Sequence, residues 1–179
     1  MTIASLFNKI SAVFQKHKIK HVLIGGFAIN YYGVSRQTAD IDFLITTDDF
    51  KKISKNILKI GYKVGDLQDN FIHLVNPQNI LLDLDFMIID NDTITKILKN
   101  SEKITIVGAD FFVPSLLNLI ALKLHSLKYN QKIRELKDMP DIINLIKINK
   151  VDYKSKEFRN LCKKYGSIKI YNKIRNYLK

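Results

Sequence analysis

Apolar residues recur at helical spacing over the start of the chain, at Ile3, Leu6, Ile10, Val13 and Phe14, and predict an amphipathic helix over 3–17. The period then changes. A short apolar run at 21–25 predicts a first strand, and residues 27–32 a short helix ended by Gly33. Residues 41–46 predict a second strand. Thr47 or Asp48 is placed to cap a helix to about Lys59, which Gly61 stops. Short strands at 62–64 and 71–75 flank a polar turn, and 80–88 is the longest β-prone run. Asp92 is expected to cap a helix to Lys99, and 103–107 with 111–113 to form a hairpin about Gly108. Beyond Pro114 every periodic segment is helical: 115–129, then about 138–147 with Pro140 in the first turn, then 154–165 and 168–178. The pattern predicts an α/β (α+β) chain. A mixed β-sheet core flanked by helices spans 1–114, and a helical C-terminal region, 115–179, packs on it.

Two features within this pattern carry chemistry. Gly25-Gly26 follows the first strand, and thirteen residues later comes Asp40-Ile41-Asp42 at the head of the second. A strand has a period of two, so Asp40 and Asp42 project from one face. Two adjacent carboxylates repel unless a cation neutralises them, and hard oxygen ligands suit Mg²⁺. Glycines without Cβ atoms let a phosphate approach the backbone. Together the two features describe a site for a metal-bound nucleoside triphosphate.

The run Ile24-Gly25-Gly26, thirteen residues, Asp40-Ile41-Asp42-Phe43 resembles the core motif of the nucleotidyltransferase superfamily, with its DNA polymerase β-like fold. Arg36-Gln37-Thr38-Ala39-Asp40-Ile41-Asp42 is similar to the bacterial branch that includes abortive-infection toxins of the AbiEii type. The resemblance covers roughly residues 20–146. It implies transfer of a nucleoside monophosphate from an NTP to an acceptor hydroxyl, with release of pyrophosphate and two Mg²⁺ ions at the carboxylates. It implies a third carboxylate, as metal ligand or base, and Asp83 and Asp85 both fit, alternating with apolar residues on one strand. The catalytic set is then Asp40, Asp42, Asp83 and Asp85, with Asp40, Asp42 and Asp85 as metal ligands. Gly25 and Gly26 would cradle the nucleotide. By resemblance Arg36 meets a phosphate, and Lys123, closing the apolar stretch 116–122, reaches the triphosphate. Asp138 and Asp141 match a further element of the branch, Asp138 as a helix cap or an orienting partner of Lys123.

Charge adds a possible partner. Residues 147–179 hold eleven Lys/Arg against Asp152 and Glu157, most of the formal net charge of +12. A basic tail attracts polyanions such as RNA, although 25 Lys against 4 Arg also fits a biased base composition. The acceptor therefore stays open: RNA or a tRNA end, as in related toxins with an antitoxin partner; a small hydroxyl compound, as for antibiotic-modifying adenylyltransferases; or a protein side chain. A catalytically inactive nucleotide-binding or interaction domain is the non-enzymatic alternative. Cys162 is the single cysteine, which excludes an internal disulfide and fits a reducing cytoplasm. No membrane segment or signal peptide is expected, no P-loop or nucleophile elbow occurs, and His17 and His21 read as surface histidines.

Overall fold

The structure is a computed structural model that describes residues 2–77 and 82–179. Its chain divides into two compact units, Met1–Ala28 with Gln37–Ser115, and Ile29–Arg36 with Leu116–Lys179.

The first unit is built on a five-stranded mixed sheet. Its strands are β1 (His21–Leu23), β2 (Asp40–Ile45), β3 (Lys63–Gln68), β4 (Phe71–Val75) and β5 (Asp83–Ile88), in the order β1-β2-β5-β4-β3. Only β2 and β5 run parallel, which requires a crossover between them; the other neighbours are antiparallel. The crossover begins with α3 (Thr47–Lys59). Both central strands alternate over their first four residues. Ile41, Phe43, Leu84 and Phe86 are fully buried, while Asp40, Asp42, Asp83 and Asp85 occupy the opposite, half-buried face. Thus one face builds the core and the other presents four carboxylates.

An aromatic cluster fills that core. Phe43 stacks on Phe86 at 5.7 Å and meets Phe14 edge-on at 5.1 Å, and Phe7 meets Phe111 at 5.6 Å. Phe7 and Phe14 come from α1 (Ile3–Lys16), and Phe111 from the hairpin of β6 (Glu102–Ile106) and β7 (Ala109–Val113). Another helix of this unit, α4 (Asn91–Lys99), buries Ile94 and Ile97.

Several element ends differ from the sequence expectation for a common reason. A cap residue keeps extended dihedrals, so the last residue leaving a strand does the capping. Thr46 accepts a hydrogen bond from Asp49 N, and Asp90 from Thr93 N, one and two residues before the expected caps. The short helix α2 (Gly25–Tyr31) starts two residues early because Gly25, at φ +62°, turns the chain straight out of β1. Of the run expected at 80–88, residues 80 and 81 lie outside the described residues.

The second unit is helical: α5 (Leu116–Tyr129), α6 (Gln131–Ile148), α7 (Lys156–Tyr165) and α8 (Ile168–Tyr177). Ser155 and Ser167 cap the last two through their hydroxyls. Residues 29–36 join this unit, where Asn149 Nδ2 donates to Tyr32 O. The expected start of a helix near Asp138 is corrected. α6 begins at Gln131 and runs through Pro140, so Asp138 lies mid-helix and is not a cap. An interior proline forfeits a backbone hydrogen bond. Burial of Met139, Ile142, Ile143, Leu145 and Ile146 along the same stretch outweighs that loss.

Candidate functional site

The parallel register of β2 and β5 sets Asp40 beside Asp83 and Asp42 beside Asp85. Period alone leaves Asp83 and Asp85 equivalent; the side-chain positions separate them. Carboxylate oxygens of Asp40, Asp42 and Asp85 lie within 4.8 Å of one another. Asp83 turns elsewhere, accepting from Asn76 N at 3.2 Å. Three convergent carboxylates suit a hard divalent ion and would repel one another without one.

Each member of the triad is held by a neighbour. Thr38 Oγ1 donates to Asp40 Oδ1 at 2.6 Å. Gly26 makes that possible, since a Cβ there would lie 2.6 Å from the Thr38 hydroxyl and 2.5 Å from its Cβ. The lead-in threonine and the second glycine of the motif are therefore one device. Gly25 serves Asp42 in the same way: a Cβ would fall 1.7 Å from Asp42 Oδ2. Ile24 N donates to Asp42 O at 2.9 Å and ties the glycine turn to β2.

Asp85 is held by His73 of β4, its cross-strand partner. His73 Nδ1 lies 2.6 Å from Asp85 Oδ1, and His73 Nε2 lies 3.9 Å from Asp83 Oδ2. An ionised carboxylate only accepts, which places the proton on Nδ1. Burial raises the Asp85 carboxyl above its ordinary value, opposed by the His73 hydrogen bond; that same bond raises His73. Neither Thr38 nor His73 was singled out from the sequence. Thr38 was visible within the Arg-x-Thr lead-in, and His73 only as the polar position of an alternating strand. Tyr62, buried and near the charge of Asp83, donates to Leu82 O at 2.6 Å and has its phenol pushed up.

Arg36 and Lys123 belong to the helical unit, where each has carboxylate partners. Lys123 Nζ lies 2.9 Å from Asp138 Oδ1 and 2.7 Å from Asp141 Oδ2. Arg36 reaches the same Asp141 oxygen at 2.6 Å. Lys123, Asp138 and Asp141 are all buried. Burial of an ammonium requires such partners, so Asp138 orients Lys123. The expectation for the two histidines is corrected at His21, which is buried among Phe14, Phe43 and Phe111. His17 is half-buried. No helix among the described residues is long and apolar enough to cross a membrane.

The model of a family described as "Uncharacterised nucleotidyltransferase" matches residues 1–178. No curated protein matches the chain in sequence. Solved structures do. ANT(2'')-Ia in complex with adenylyl-2''-tobramycin is 16% identical, with 100% of each chain covered and a TM-score of 0.60. The lincosamide antibiotic adenylyltransferase LnuA, lincomycin-bound, is 18% identical over 83% of this chain and 98% of its own, with a TM-score of 0.57. The Megavirus polyadenylate synthase is 15% identical over 82% of this chain but 32% of its own, with a TM-score of 0.51. At these identities the likeness shows a shared fold.

Proposed function

Because the chain belongs to the family of uncharacterised nucleotidyltransferases, we propose that it moves a nucleoside monophosphate from an NTP to an acceptor hydroxyl at the Asp40, Asp42 and Asp85 triad. The convergence of these carboxylates within 4.8 Å is the observation that carries the reading. Divalent ions bound there, Mg²⁺ by the hardness of the ligands, would neutralise the triphosphate and stabilise the leaving pyrophosphate. Asp40 and Asp42 would hold the nucleotide's cation. Thr38 fixes the Asp40 carboxylate by a hydrogen bond, and the missing Cβ of Gly25 leaves space for that of Asp42. Asp85, held by His73, serves the acceptor side, as a ligand or as the group that takes the hydroxyl proton. Gly25 and Gly26, whose missing Cβ atoms leave room for Asp42 and Thr38, serve the nucleotide through those side chains. Asp83 is outside this set.

The acceptor divides into two readings. Likeness in fold to ANT(2'')-Ia over the whole chain and to LnuA over 83% of it supports a small hydroxylated compound of the aminoglycoside or lincosamide kind. The concentration of positive charge after residue 147 supports an RNA hydroxyl. Nothing in the comparisons supports the abortive-infection subtype or an antitoxin partner.

The test is incubation of the protein with each α-labelled NTP and Mg²⁺, beside total RNA and a panel of aminoglycosides and lincosamides. Label should move to one acceptor class. Asp85→Asn should lower turnover at least about a hundredfold, and Asp83→Asn by much less. Equal losses at the two positions, or label transfer by a protein lacking Asp42, would refute the triad.

A further inference from the structure

The second unit contains a cleft of about 410 Å³ lined by Lys154, Lys156, Arg159, Tyr171, Asn172 and Arg175. Its size falls within the range of small-ligand sites, roughly 300–1,000 Å³. All four charged groups in its wall are cations. The acids of this segment, Asp152 and Glu157, do not line it, and the Asp152 carboxylate accepts the Lys154 backbone N–H.

None of the four cleft cations appears in an ion pair among the described residues. Residue type sets this cluster apart from a lysine-rich surface. Lysine outnumbers arginine 25 to 4 in this chain. A biased base composition would scatter lysines. It would not bring two of four arginines into one cleft while the other two take structural ion pairs. Like charges this close repel, and the arrangement becomes favourable when an anion enters.

We propose that this cleft binds the phosphate backbone of a nucleic-acid strand. Guanidinium groups at Arg159 and Arg175 present paired donors to phosphate oxygens. Arg175 lies 5.8 Å over the ring of Tyr171, which is buried and so holds the guanidinium near one orientation. Lys154 and Lys156 add point charges to the same lining, and Asn172 adds a neutral donor and acceptor. Several cations along one open cleft match successive phosphates of a strand; a single monoanion would leave most of them unpaired. An aminoglycoside, itself a polycation, would be repelled. The site lies wholly in the helical unit and does not depend on the carboxylate triad.

The experiment measures binding of a short single-stranded RNA oligonucleotide to the full chain across a salt series, with EDTA present so that the triad holds no metal. Failure of the transferase reading would leave this measurement unchanged. Arg159→Gln with Arg175→Gln is compared with Lys163→Gln with Lys164→Gln, a control that removes the same charge from exposed α7 positions outside the cleft. Thermal melts check that both variants fold. The cleft variant should lose about tenfold in affinity or more, and its salt slope should flatten by about one to one and a half units, while the control changes little. Equal weakening of both variants would show diffuse attraction and overturn the proposal. So would loss of inorganic tripolyphosphate binding in the cleft variant with RNA affinity kept, which would mark a site for a small free polyphosphate.

Discussion

His73 Nδ1 lies 2.6 Å from Asp85 Oδ1, and the contact exists because a glycine stands opposite. The pairing of β3 with β4 shifts between Val64 and Asp66, and a Cβ on the intervening Gly65 would lie 2.9 Å from His73 Cδ2. A bulge in one strand thus admits a ring on the next, and that ring aims a carboxylate on the third. Partners that orient a metal-ligating group commonly contribute 10- to 100-fold to metal affinity or activity. His73→Ala should raise the Mg²⁺ concentration for half-maximal turnover by about that factor. His73→Asn, whose amide can replace the Nδ1 donor, should recover much of it. Equal losses in both variants would mean that the ring only fills space.

The first glycine of the motif has two separable roles. Gly25 sits at φ +62° with its missing Cβ 1.7 Å from Asp42 Oδ2, whereas Gly61, at φ +113°, has nothing within 4 Å of where a Cβ would be. Both Gly→Ala changes incur backbone strain of about 1–3 kcal/mol. Only Gly25→Ala also displaces a carboxylate of the triad. Chemical denaturation should therefore show both variants destabilised, and turnover should collapse in Gly25→Ala alone. Normal turnover by Gly25→Ala would remove Asp42 from the site.

The motif 24–43 was readable because its chemistry is local: a turn that needs glycine, and a strand whose period puts two acids on one face. The choice between Asp83 and Asp85 was not, since both share a face by period. Register with β2 and a histidine from a third strand decide it, and both are long-range facts. Local propensity starts a helix just before Pro140, but in the fold it yields to the buried apolar row behind that proline. A histidine at a helix-to-strand junction suggests solvent. In the fold His21 occupies one of three buried positions of β1, a strand too short to show its own pattern. Lys123 stood out as a charge after an apolar run, and its carboxylate partners lie a helix away at Asp138 and Asp141.

That buried ion-pair chain has a sharp consequence. Removing one partner of a buried pair leaves uncompensated charge and costs about 3–5 kcal/mol. Lys123→Met would remove the shared cation of Asp138 and Asp141, leaving Arg134 at 3.9 Å to the first and Arg36 at 2.6 Å to the second. Denaturant unfolding should show a loss of that order. Lys123→Met with Asp138→Asn should lose less than the single variant, since the stranded charge is gone. NTP affinity measured on the folded fraction tests the nucleotide role separately. An unchanged midpoint in the single variant would show that the pair adds nothing to stability.

His21 makes stability depend on pH. Its ring is enclosed by Phe14, Phe43 and Phe111, and Nδ1 donates to Ile19 O at 3.1 Å. Nε2 is buried without a hydrogen-bond partner, so protonating it would create an unpaired buried N–H. Burial accordingly lowers the pKa from 6.5 to about 4. The unfolded chain therefore binds the proton first. Stability from this group is complete above about pH 6.5 and falls as pH drops towards 4, by up to about 3 kcal/mol. Denaturant midpoints at pH 7 and pH 4.5 should differ by a large part of that amount in the parent. His21→Phe removes the titrating ring from an aromatic pocket and should shrink the difference. The remaining pH dependence then comes from the other titrating groups, among them His73, which responds in the opposite sense because its pKa is raised. An identical fall in parent and variant would place the acid-sensitive group elsewhere than His21.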